Sequence, residues 1–150
     1  MTLLEQREVE ARVLAPVYRA FAQELGDERA RVLLAEAIGG LAREAGCAAA
    51  AAGNSLADLK RVVGMWTAGG ALELHVIRDE PEAFEFDVTR CRFAEMYRRL
   101  GLDDLGPILS CSRDAKMIEG FNADIGFERT QTLMEGATRC DFRYRISTTA

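Results

Sequence analysis

Two stretches set the fold class: Leu72-Glu73-Leu74-His75-Val76-Ile77 and Phe84-Glu85-Phe86-Asp87-Val88-Thr89. In each, Leu72, Leu74, Val76 and Phe84, Phe86, Val88 alternate with more polar neighbours. That two-residue period belongs to a strand with one buried face. Asp79-Glu80-Pro81 between them signals a turn. The pair therefore reads as an antiparallel hairpin with one apolar and one largely polar face.

Upstream the period lengthens to about 3.6. Thr2 with Glu5 forms a capping-box pattern, and Val13, Val17 and Phe21, flanked by Leu14, Tyr18 and Leu25, recur at helical spacing. Pro16 interrupts them, which predicts a kink or two short helices. Gly26 closes this segment and Asp27 caps the next, whose stripe is Leu34, Ile38, Leu41 and Ala45, ending at Gly46. The run Ala48 to Ala52 is either a continuation of that helix or a tight connection. Ser55 and Asp58 open a third helix carrying Leu56, Leu59, Val63 and Trp66, and Gly69-Gly70 ends the helical half.

Downstream, a helix from Arg92 to Leu100 buries Phe93, Met96, Tyr97 and Leu100, and a shorter one runs from about Arg113 to Glu119. A second hairpin follows, Ile125 to Leu133 and Arg139 to Ile146, turned at Met134-Glu135-Gly136-Ala137. The whole reads as one α+β domain over residues 1–150, helical to about residue 70 and sheet-rich with inserted helices from 71. Its helices pack on one face of an antiparallel sheet of about four strands.

Composition sets further bounds. Nineteen basic against 24 acidic residues give a net charge of -5, a poor balance for a phosphate-binding groove, so no nucleic-acid partner is expected. With 49% hydrophobic residues the chain can build a real core. No apolar run approaches the roughly 20 residues that span a bilayer, and no signal-peptide core opens the chain. These features predict a cytoplasmic protein without a membrane partner, its apolar helix surface available to a homodimer.

Four cysteines (Cys47, Cys91, Cys111, Cys140) and one histidine (His75) contain no Cys-x-x-Cys pair. Cys47 beside an alanine run reads as a small buried hydrophobe. Cys91 lies where a strand gives way to a helix. Cys111, just before the helix from Arg113, would sit at the positive end of its dipole, which with Arg113 favours thiolate. His75 shares the polar strand face with Glu73, with Asp87 opposite on the next strand. In the last hairpin, alternation places Arg129, Gln131 and Cys140 on the apolar face. A guanidinium there must be paired or face a polar cavity, unless it escapes at the strand end or a bulge resets the parity.

Val88-Thr89-Arg90-Cys91-Arg92-Phe93-Ala94-Glu95-Met96-Tyr97, Ser110-Cys111-Ser112-Arg113-Asp114 and Gly120-Phe121-Asn122 carry a resemblance, as do Arg129-Thr130-Gln131-Thr132 and Gly136-Ala137 with Cys140-Asp141-Phe142-Arg143-Tyr144. Together they resemble the L-2-amino-thiazoline-4-carboxylic acid hydrolase family, most densely from Val88 to Tyr144. The last motif also looks distantly like four-vinyl-reductase-type ligand-binding domains. The resemblance implies hydrolysis of a non-peptide C–N bond in a small cyclic amidine, such as L-2-amino-thiazoline-4-carboxylate. Water or a Cys111 thiolate would add to the ring carbon bearing the amino group. Asp114 or Glu135 would act as general base and acid, and Cys140 would be a second thiol of the site. Arg113 or Arg129 would hold the substrate carboxylate, with Asn122 and Gln131 as further contacts. No cofactor is required. A metal variant instead uses Cys91, Cys111 and Cys140 as zinc ligands. A Cys-lined small-ligand-binding or sensor domain without catalysis is the other reading of the same residues.

Overall fold

The computed structural model describes residues 1–147. Three helices lead: α1 (Leu3–Leu25), α2 (Asp27–Ala50) and α3 (Leu56–Trp66). The hairpin β1 (Leu72–Glu80) and β2 (Ala83–Cys91) follows, then α4 (Arg92–Arg99), one π-helical turn (Pro107–Cys111), α5 (Ser112–Phe121), β3 (Ile125–Glu128) and β4 (Cys140–Ile146). The four strands form one antiparallel sheet in the order β1-β2-β4-β3. The fold is α+β, with helices on the sheet's apolar face.

Local chemistry accounts for most boundaries. Thr2 and Glu5 close a reciprocal capping box at α1, and Ser55 and Asp58 close another at α3. Gly26, at φ 86°, takes the left-handed corner between α1 and α2. Of the kink or two short helices expected at Pro16, the two-helix alternative does not hold: α1 runs on as one helix. Pro16 lies on its exposed side, where water can satisfy the carbonyl left without a donor.

Gly46, expected to end α2, instead lies inside it and sets its packing. A β-carbon there would overlap the Met117 carbonyl of α5, and one at Gly120 would overlap the Arg43 carbonyl of α2. The two glycines let the helix backbones touch, fixing α5 against α2.

The sheet's inner face carries Phe84, Phe86, Val88, Phe142 and Tyr144, with Phe86 stacked on Phe142 at 4.9 Å. Its outer face carries ion pairs instead. Arg145 binds the buried Glu85 at 2.6 Å, Arg143 binds Asp87 at 2.9 Å, and the exposed His75 stands opposite Asp87. Along β1 two irregularities break the register, and Val76 and Ile77 are exposed beyond the helices' cover.

The second hairpin is shorter than its alternation suggests, because β3 stops at Glu128. The Asp141 carboxylate accepts the backbone N–H groups of Thr130 and Gln131 and the Thr130 hydroxyl, drawing that segment out of the ladder. Residues 129–139 become a loop.

Two apolar clusters make the core. One joins α3, α5 and the sheet; the other joins α1, α4 and the π turn. Leu72 and Cys91 pack against both. A cavity opens along this seam.

Candidate functional site

The cavity is about 400 Å³. Aliphatic and aromatic side chains form most of its wall, among them Ala42, Ala45 and Ala49 of α2, Val62 and Trp66 of α3, and Phe93 and Phe142. Set into that wall are three thiols, Cys91, Cys111 and Cys140, and four charges, Arg7, Arg113, Asp114 and Arg129. A few placed polar groups in an apolar enclosure are what a small-molecule site requires.

The π turn builds the most polar part. Widening the helix at Pro107–Cys111 brings Ser110, Cys111, Arg113 and Asp114 together on the cavity wall. Two side chains satisfy carbonyls in this irregular stretch: the Ser112 hydroxyl donates to Ile108 O at 2.6 Å and Arg113 Nε to Leu109 O at 2.7 Å. Cys111 is thus already inside a continuous helical run, with helical backbone angles and no capping hydrogen bond. The dipole argument for a Cys111 thiolate fails, because the first turn of that run lies a turn earlier.

Asp114 pairs with Arg129 at 2.6 Å. Asp114 lines the cavity, with its side chain 21% exposed. Burial pushes its pKa up to about 6, against the opposing pull of Arg129, Arg113 and Arg7. Arg129 also donates to Cys111 O and lies over the rings of Phe142 and Phe127, at 5.2 and 5.4 Å. Burial opposes its charge, but Asp114 together with the nearby Cys111 and Cys140 outweighs burial and raises its pKa. The inward-facing arginine read from alternation is therefore both paired and at a cavity.

The thiols stay neutral. Burial and the nearby Asp114 push Cys111 far above the usual thiol range, and burial pushes Cys140 up to about 11 and raises Cys91. Cys91 Sγ accepts from Ala94 N at the start of α4, and Cys140 Sγ accepts from Leu133 N. Among the described residues, no three Cys, His, Asp or Glu side chains converge as a metal-ligand set, although the three thiols share the cavity.

Other candidates lie elsewhere. Glu135 is exposed and does not line the cavity, so among the described residues Asp114 is the one carboxylate on the cavity wall. Asn122 is a corner residue: its Nδ2 donates to Asn54 O and its Oδ1 accepts from Asp124 N, both at 2.9 Å. Gln131, half-buried, is held by its backbone to Asp141 and does not line the cavity. Cys47 is exposed, not a core hydrophobe. Two residues of the site went unread in the sequence. Arg7 lines the cavity from α1, four residues after the apolar Leu3, so a cation interrupting that stripe was the available signal. Asp141 positions the 130–131 backbone beside Arg129. Burial pushes its pKa up, but its hydrogen bonds from Thr130 and Gln131 outweigh that and hold it below the usual carboxylate value.

The family model for L-2-amino-thiazoline-4-carboxylic acid hydrolase matches residues 6–144. The chain belongs to that family. The match takes in the cavity residues from Arg7 on α1 to Phe142 on β4. No curated protein matches the chain. The family name implies a hydrolase, and this member of the thiazoline-carboxylate hydrolase family offers one enclosed carboxylate beside neutral thiols. No helix among the described residues is long and apolar enough to cross a membrane.

Proposed function

We propose that the cavity hydrolyses a small cyclic amidine, with L-2-amino-thiazoline-4-carboxylate as the substrate its family name suggests. The observation that carries this reading is the Asp114–Arg129 pair enclosed in an apolar cavity. A carboxyl group held near neutrality can both accept and return a proton. In this reading water is the nucleophile. As it adds to the ring carbon bearing the amino group, its proton passes to an Asp114 carboxylate oxygen. Asp114 returns that proton to the ring nitrogen as the C=N pair becomes its lone pair. It then takes the adduct's hydroxyl proton as the carbonyl forms and passes it to the ring heteroatom whose bond to that carbon breaks. Arg129 keeps Asp114 ionised enough to act as the base and fixes its rotamer.

Cys111 attack is disfavoured because the thiol is held neutral. Cys111 and Cys140 serve instead as a neutral, polarisable wall for the ring sulfur. Arg113 takes the substrate carboxylate. The reaction uses no cofactor in this reading, the protein works in the cytoplasm with its thiols reduced, and the exposed stripe Val9, Val13, Val17 and Phe21 of α1 pairs two copies.

The test is turnover of L-2-amino-thiazoline-4-carboxylate by purified protein, with bound metal measured on the same sample. Turnover that falls by at least 10²-fold in Asp114→Asn but survives in Cys111→Ala is the expected result. Loss in Cys111→Ala with retention in Asp114→Asn would reverse the roles. Stoichiometric zinc would move the thiols into a ligand role, and no turnover in the wild type would leave a ligand-binding domain.

A further inference from the structure

Arg7 and Arg113 come from helices far apart in the chain, α1 and α5, yet both line the cavity. Each side chain is only 15% exposed. They converge on a single carboxylate oxygen: Arg7 Nη1 lies 3.0 Å and Arg113 Nη2 3.1 Å from Glu10 Oε2. Glu10 itself is not part of the cavity wall. Two guanidinium groups thus share one counter-charge, while the cavity's other cation, Arg129, is matched one-to-one by Asp114. One positive charge is left unbalanced in an otherwise apolar enclosure.

Hydrogen bonding leads to the same place. A guanidinium carries five N–H donors. Arg113 uses Nε on Leu109 O and Nη2 on Glu10, and Arg7 uses Nη1 on Glu10. Among the described residues, Arg7 Nε, Arg7 Nη2 and Arg113 Nη1 meet no protein acceptor. Arg129, by contrast, is engaged by Asp114, by Cys111 O and by two ring faces. Burial, and after it repulsion from Arg7, lowers the Arg113 pKa, and an anion placed between the two guanidinium groups would offset that repulsion.

We infer that Arg7 and Arg113 together form the carboxylate seat of the cavity, with Glu10 as the resident acceptor that holds both guanidinium groups in place. The ligand class is a small monoanionic carboxylate on a compact apolar ring. This deepens the hydrolase reading and rests on it for the substrate's identity: Arg7 becomes a specificity residue beside Arg113 on the cavity wall. Because Arg113 and Asp114 are consecutive on α5, a ligand seated by its carboxylate presents its ring to Asp114 in one orientation.

Calorimetric titration with thiazolidine-4-carboxylate, an unreactive saturated ring acid, tests the seat without requiring turnover. Its decarboxylated parent, thiazolidine, is the control. Wild type should bind the acid and bind the parent far more weakly. Arg7→Met should weaken the acid by about 10- to 100-fold, the loss expected for charge-assisted hydrogen bonds, with little change for the parent. Arg7→Lys should fall between the two, since it keeps the charge and loses the fork. Glu10→Gln, which removes the competing anion, should bind the acid at least as tightly as wild type, a result that a misfolded variant would not give. Unchanged affinity in Arg7→Met overturns the inference, as does a wild type that binds neither compound or prefers the parent. Binding of this kind without thiazoline turnover would keep the seat and discard the hydrolase; turnover with an unaltered KM in Arg7→Met would do the reverse.

Discussion

Replacing Arg129 by Gln removes the charge that holds Asp114 ionised and leaves at most a neutral amide donor in its place. The size of the effect follows from the pair. Asp114 has a pKa raised from 3.8 to about 6 by burial, even with Arg129 2.6 Å away. Between those values the folded protein holds more protons than the unfolded chain, so its stability falls as pH rises through the window and levels off above about pH 6. The difference amounts to about 3 kcal/mol, reduced to about 2–3 kcal/mol because 21% of the side chain still meets solvent in the cavity. An opposite charge at this distance lowers a carboxylate by about 1–3 pH units. Without it the decline continues to about pH 7–9, and Arg129→Gln loses a further ~1.4–4 kcal/mol relative to wild type on going from pH 6 to the new plateau. Urea denaturation of both proteins across this range reads the difference directly, and the remaining carboxylates cancel in the subtraction. A gap between variant and wild type that stays constant above about pH 6 would refute the reasoning.

Tyr144 is 0% exposed and its hydroxyl has no hydrogen-bond partner among the described residues, so Tyr144→Phe should be neutral or stabilise by up to ~1 kcal/mol in thermal denaturation. A loss of more than about 1 kcal/mol would mean that the hydroxyl is bonded in solution. Gly120→Ala drives a β-carbon into the Arg43 carbonyl and should cost at least ~1–3 kcal/mol, whereas the same change at Gly64, which meets nothing, should stabilise α3 by a few tenths to ~1 kcal/mol; urea midpoints compare them. If the α1 stripe pairs two copies, wild type sediments as a dimer and Val13→Lys as a monomer. Identical sedimentation of the two proteins would remove α1 from any interface.

Much of the fold could be read because its signals are local. Alternation in 72–77 and 84–89 gave a hairpin whose inner face holds for Leu72, Leu74, Phe84, Phe86 and Val88 but not for Val76, which is exposed. Both capping boxes formed as their spacing required. Local signals failed where a distant backbone intervened. Gly46 looked like a helix end because glycine weakens helices, yet α5 needs its missing side chain for contact. The strand through Arg129 looked longer because alternation cannot see that Asp141 takes the hydrogen bonds of residues 130 and 131. Cys111 looked like a helix start because a π turn has no signature that separates it from an irregular stretch.

For the site, the residue order tells which groups are available: one histidine, four cysteines, and an arginine at a position that alternation turns inward. Tertiary structure alone decided which of them meet. Asp114 and Arg129 lie 15 residues apart, and Arg7 joins Arg113 across a separation of 106 (113 − 7), because the α2–α5 contact and the seam between two apolar clusters bring those segments together. It also decided their protonation. Periodicity reports which face a side chain takes, but a pKa depends on the dielectric and on charges within a few ångströms, and the chain acquires both only on folding.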